Sequence, residues 1–150
     1  MRLALGCVLL LAACNPFKSG EVNGRIEASG SETGNWVLEK GACASGQREG
    51  YHGVIGYGPD GSGVAIKLVK DAVRGWTAVV NKADSCKTQV EKSACKAIIL
   101  APSDCTTLEV EVGPTNTTIN DVKVVEGTLK IDCTIATSTI KGQLTFSYCH

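Results

Sequence analysis

The chain lacks an excess of charge of either sign: 15 Lys and Arg stand against 15 Asp and Glu. Without a basic excess to neutralise phosphates, it has no electrostatic footprint for nucleic-acid binding. The charges are scattered singly, as on an ordinary solvated surface. Histidine is scarce, with only His52 and His150 present. A structural zinc site wants CxxC-type ligand pairs, often with histidines. The cysteines after residue 14 are instead spaced by 43, 9, 10, 28 and 16 residues. No metal site is therefore expected. Internal repeats of the solenoid kind are missing too, and the one low-complexity tract is the Thr-rich T-N-T-T. Beyond the first residues, no apolar run approaches the roughly 20 residues of a membrane span.

The beginning of the chain is different. Arg2 supplies a short positive region, and Leu3 to Leu11 is apolar and uncharged. Small residues follow before Cys14, the three-part design of a secretory signal. Leu11-Ala12-Ala13-Cys14 resembles the lipobox of type II signal peptides. That resemblance implies removal of residues 1–13 and a lipid thioether on Cys14, with the new amine acylated. Cys7 is a poorer candidate, because it leaves too short an apolar region. The alternative is an ordinary secretory signal cut near Ala13, with Cys14 a plain thiol. In Gram-negative lipoproteins an Asp beside the lipidated cysteine retains many at the inner membrane. Asn15 stands there in this chain, so the resemblance implies a lipid-anchored protein of the outer membrane. Two or three acyl chains hold firmly where one is marginal. Residues 14–20 then form a lipidated tether, and 21–150 a single domain. The covalent lipid is the one non-protein group expected, and no cofactor is called for. The mature 137 residues suit one domain, with a charge of about −1 once Arg2 leaves (14 basic against 15 acidic).

Eight cysteines become six once Cys7 is cut away and Cys14 lipidated. Cys43, Cys86, Cys95, Cys105, Cys133 and Cys149 remain. An even number in an exported chain reads as a disulfide framework of up to three bonds, and six cysteines permit fifteen connectivities. Sequence alone does not choose among them.

Val, Ile, Thr and aromatic runs are separated by Gly, Pro, Asn, Asp and Ser. Strands are expected over 21–28, 36–38 (closed by Gly41), 51–57, 64–69, 76–80, 97–100, 108–112, 119–125, 128–135 and 140–148. Spacing of roughly ten residues argues for an all-β, antiparallel sandwich or barrel-like domain. Leu129, Ile131 and Cys133 share one face, and Leu144, Phe146 and Tyr148 another, so both strands should cover one core. Residues 84–96 read as a helix capped by Asp84 or as a loop. In a helix, Cys86 and Cys95 would face opposite sides and could not bond to each other.

Candidate active sites are weak. Gly56, Gly58 and Gly61 match GxGxxG, but a strand-like run follows where a dinucleotide site needs a helix. G-Y-G-P-D-G-S-G reads as a hairpin loop instead. Asp60-Gly61-Ser62 lacks the alternate oxygen ligands and closing Glu of a calcium loop. His52 with a distant carboxylate would serve acid–base chemistry, yet no GxSxG-type nucleophile accompanies it. The aspartates sit near turns, and no pair stands out as a glycosidase dyad. Trp36, Tyr51, Tyr57 and Trp76 are candidates for a binding patch, although aromatics at strand positions are more often core.

Beyond the signal, V-N-G-R-I-E-A-S-G, N-W-V-L-E-K-G-A-C-A-S-G, Y-H-G-V-I-G, E-G-T-L-K-I-D-C and I-K-G-Q-L-T-F-S-Y-C-H carry a second likeness. Through them the mature domain resembles small β-rich envelope lipoproteins of predatory and gliding bacteria. That group has no assigned activity, so the resemblance implies a β-rich domain and no catalytic residue. The leading reading is a non-enzymatic envelope lipoprotein that binds a protein or a glycan. S-G-Q-R-E-G-Y hints at a lysozyme-inhibitor-like lipoprotein, and His52 at a hydrolase. Mass spectrometry of the exported form should find Cys14 thioether-linked and the other six cysteines paired. Two or more free thiols would contradict the disulfide framework.

Overall fold

β-Branched residues alternating with polar ones favour extended chains with one dry face. The computed structural model describes residues 20–59, 62–81 and 97–150. Among them are nine strands: β1 (Gly20–Ser29), β2 (Trp36–Ser45), β3 (Gly53–Tyr57), β4 (Ala65–Asp71), β5 (Gly75–Asn81), β6 (Ala97–Leu100), β7 (Cys105–Ile119), β8 (Val122–Ile135) and β9 (Ser138–Cys149). Two short 3-10 turns, η1 (Gly46–Glu49) and η2 (Pro102–Asp104), complete the described elements. The domain is all-β, as its alternation predicts. Residues 1–19 lie outside the described part, and with them Leu11, Ala12, Ala13 and Cys14. So do Cys86, Cys95 and the question of helix or loop over 84–96.

All nine strands form one sheet in the order β6-β5-β4-β3-β2-β1-β9-β8-β7. Every neighbouring pair is antiparallel. Nine alternating strands bring β7 back to the sense of β6, and residues 101–104 are all that separate the two. They act as one bent strand that leaves the β5 ladder and joins the β8 ladder at η2. The sheet rolls around a single core and stays open at that bend. Phe146, Ile26, Leu38, Ile66, Leu68, Leu129 and Leu144 are fully buried in this core. Each such side chain contributes about 1.5–3 kcal/mol by leaving water.

Leu129, Ile131 and Cys133 all face inward, as do Leu144 and Phe146. Tyr148 does not continue the alternation. It takes a left-handed φ of 59°, β9 gains a residue against β8, and Cys149 is the buried side chain instead. The expected break between 112 and 119 is also absent. β7 runs through Gly113 and Pro114, which an edge strand tolerates because its outward N–H groups need no partner. The chain reverses at Asn120 and Asp121, with φ of 48° and 63°, the paired left-handed backbone of a type I′ turn. Gly41 likewise lies within β2 rather than closing it. β3 and β4 are antiparallel neighbours, with Gly56 inside β3 and Gly58 just after it, so the strand-like run expected after GxGxxG is present. Asp60 and Gly61 lie outside the described residues.

Disulfides join Cys43 to Cys149 and Cys105 to Cys133. The second links directly paired residues of β7 and β8. The first joins β2 to β9 over the start of β1. A Cβ on Gly20 would lie 2.5 Å from the Cys43 carbonyl oxygen and 2.8 Å from the Cys149 Cα, so no larger residue fits beneath the bond. The two bonds span 106 and 28 residues. Loop-closure entropy assigns them about 5 and about 3.5 kcal/mol. Replacing Cys43 and Cys149 by serine should therefore lower Tm further than replacing Cys105 and Cys133. Equal losses in thermal unfolding would sink this ranking.

Candidate functional site

The most distinctive outward feature begins in β1. Between Asn23 and Ile26 the β1–β2 register slips by one residue. A β-bulge of this kind inserts an extra residue and re-aims side chains. Gly24 carries it with φ of 122°, and Asn23, Gly24 and Arg25 are exposed in succession. Opposite the bulge, Gly142 has φ of 139°, and a Cβ there would meet the Arg25 carbonyl oxygen at 2.0 Å. Bare backbone on both strands thus sets Arg25 out on the sheet's outer face.

Arg25 Nε donates to Glu27 Oε1 at 2.6 Å, and Nη1 donates to Glu39 across the β1–β2 ladder. The hydrogen bond to Glu27 is the main reason that the guanidinium is held even more firmly protonated than usual. Three shallow clefts, of about 460, 510 and 300 Å³, open around it, and Arg25 lines all three. Glu27 and Lys141 line the two larger clefts, while Lys130 and Asp132 line the one of about 460 Å³. Lys130 reaches Glu109 at 3.8 Å. The result is an outer face of interleaved charges spread over β2, β1, β9 and β8. Arg25 itself acts there through charge and hydrogen bonds, since an arginine does not give up its proton at working pH. Sequence reasoning did not single out these residues. The one local signal is the glycine inside V-N-G-R-I-E, because a lone glycine in a strand pattern marks a bulge.

The four aromatic candidates do not share one surface. Trp36 is buried at the start of β2, and its indole N–H donates to the Thr33 carbonyl at 3.1 Å. Tyr57 is exposed at the end of β3. Tyr51 packs on η1: a Cβ on Gly46 would lie 2.3 Å from its ring. Lys67 Nζ sits 3.8 Å above the same ring and pairs with Glu49 at 3.2 Å. Trp76 stands on β5, with His52 at 5.9 Å and Lys70 Nζ at 5.8 Å from its ring.

His52 is exposed just before β3, and its carbonyl accepts from Lys70 N at 2.9 Å. It lines none of the three clefts. The nearby Glu49 is engaged by Lys67. S-G-Q-R-E-G-Y is largely framework. Ser45 caps η1 by accepting from Gln47 N. Gln47 then holds the β7–β8 hairpin tip, accepting from Lys123 N at 2.9 Å and donating to the Asp121 carbonyl. Among the described residues no group of three or more His, Cys, Asp or Glu side chains converges as a metal site would. No described helix is long and apolar enough to cross a membrane. No family model, no curated protein and no solved structure matches this chain.

The Tyr51 hydroxyl is enclosed and makes no hydrogen bond among the described residues. Burial, then the Glu49 charge and Tyr57, push its ionisation well above the usual 10.0. A raised folded pKa means the native state holds this proton more tightly than the unfolded chain does. The associated stability is full below pH 10 and is lost as pH rises above it. In an ultraviolet titration, Tyr51 should ionise only as the fold melts in alkali, and Tyr51→Phe should flatten the alkaline fall in stability. Reversible ionisation of Tyr51 in the native protein near pH 10 would contradict this.

Proposed function

We propose that this protein is a non-enzymatic envelope lipoprotein. Its domain is anchored by lipid on Cys14 and binds a partner through the outer face centred on Arg25. The anchoring half of the reading rests on the Leu11-Ala12-Ala13-Cys14 signal and the apolar run before it. The binding half rests on one observation: three clefts gather outside the sheet, around one bulge-mounted arginine. Inside, the roll is filled by Phe146, Leu129, Leu144, Ile26 and their neighbours. Small-molecule sites enclose most of their ligand, whereas these clefts are shallow and lined by Arg25, Glu27, Lys130, Asp132 and Lys141.

Interleaved charge favours a protein partner over a glycan, because complementary potentials steer and register protein surfaces. Glycan recognition would draw on exposed rings, and the one aromatic lining these clefts, Trp36, is buried. Attachment supplies the rest of the function. A lipid anchor confines the domain to one surface, so a weak partner is met at high effective concentration.

The decisive experiment is intact mass spectrometry of the native protein together with what co-purifies. It should show cleavage before Cys14, a lipid adduct and a protein partner. Arg25→Gln combined with Lys141→Gln should cut partner recovery on the order of tenfold, chiefly through slower association, with little change in Tm because exposed pairs add little to folding. Undiminished recovery would move the binding surface elsewhere.

A further inference from the structure

The ladder register shows which end of the domain carries the anchor. Gly20 pairs with Cys43, Cys43 with Gly56, and Gly56 with Ile66. This row crosses four strands at one level. β1 starts at that end of the roll, β2 and β4 finish there, and β5 begins there. β4 continues five residues past Ile66 to Asp71, roughly 16 Å of extended chain. The β4–β5 turn is therefore well beyond Gly20, on the side from which the N-terminal segment departs. From Cys14 to Gly20 the chain has six steps, at most about 20 Å. A membrane holding Cys14 is thus within reach of that turn.

The chemistry of the turn suits a membrane surface. Val73 is 93 % exposed at its tip. A single exposed valine is unremarkable, but its neighbours are specific. Lys70 and Arg74 flank it and are exposed. The one acid in the turn, Asp71, is directed back into the backbone, where Oδ1 accepts from Val73 N at 2.7 Å and Arg74 N at 2.8 Å. Trp76 stands behind them, half-buried, with His52 and Lys70 at its ring. An indole at the water–lipid boundary, an apolar tip and cations over anionic headgroups are the elements of interfacial contact.

We infer that the β4–β5 turn is a second, non-covalent membrane contact. Val73 and Trp76 enter the headgroup layer, and Lys70 and Arg74 meet anionic lipid. This inference rests on the lipoprotein reading proposed above. The contact orients the domain, holding it against free rotation on the flexible lipid and turning the Arg25 face sideways, where a partner can approach.

The test uses the full lipidated protein in vesicles of phosphatidylcholine, with and without phosphatidylglycerol, carrying brominated acyl chains that quench tryptophan. Trp36 is buried and bonded to Thr33, so the quenchable signal belongs to Trp76, and Trp76→Phe should remove it. Quenching should be stronger in the anionic vesicles. Val73→Asp should abolish most of it, as should Lys70→Glu with Arg74→Glu, although all variants still float with the vesicles. Those substitutions leave the turn's backbone hydrogen bonds intact. A wild-type protein that floats but is not quenched, or variants quenched like wild type, would overturn the contact and leave the anchor standing. A protein without lipid on Cys14 by mass, and not floating, would overturn the anchor and the inference together.

Discussion

The Cys43–Cys149 bond closing over Gly20 is the constraint on which the rest of the domain depends. It clamps β2 and β9, the two neighbours of β1, at the point where β1 begins. With both flanks fixed, β1 has one register available on each side. The first six strands, β1 to β6, and the last three, β7 to β9, meet nowhere else through hydrogen-bonded strands. A covalent bond at that junction therefore ties two independent meanders into one roll. The other described bond, Cys105–Cys133, lies within the last meander and stiffens a pairing that the ladder already makes.

Much of this architecture is legible in the order of residues. Strict alternation in L-E-V-E-V and L-K-I-D-C places the inward and outward faces where the structure has them, partly buried in the first and fully buried in the second, because a pleated strand has only two sides. Failures cluster where backbone conformation departs from that rule. Tyr148 looks like a core residue by parity, but its left-handed backbone shifts the parity by one and brings Cys149 inward. Gly113-Pro114 looks like a turn, yet the edge position of β7 spares it a donor, while Asn120-Asp121 takes the left-handed pair a tight hairpin needs. Edge status is a property of the whole sheet and is not written locally. The aromatic candidates were named by residue type, and type does not say which face or which end of the roll they occupy. The Arg25 surface was missed for the opposite reason: it is built from ordinary charges that a bulge brings together, across strands remote in sequence.

The inner and outer faces of the sheet thus divide the labour. The inner face is apolar and packed around Phe146 and its neighbours. The outer face carries its charges in cross-strand pairs such as Lys130 with Glu109 and Arg25 with Glu39. Exposed pairs of this kind add little to folding. Their arrangement is therefore open to change without loss of the fold, which is the condition under which a surface can be shaped by its partner.

The bend at η2 has a consequence for how copies of this chain live together. By moving one strand from the β5 ladder to the β8 ladder it leaves β7 as a fifteen-residue sheet margin. A flat margin of that length would invite the same strand of a second molecule and seed fibrous self-association. β7 discourages this with Pro114, which has no N–H to offer, with the irregular register between Pro114 and Thr118, and with Glu109 and Glu111, which set negative charge against negative charge in an approaching copy. Molecules crowded side by side would keep apart by the same features that leave the roll unsealed.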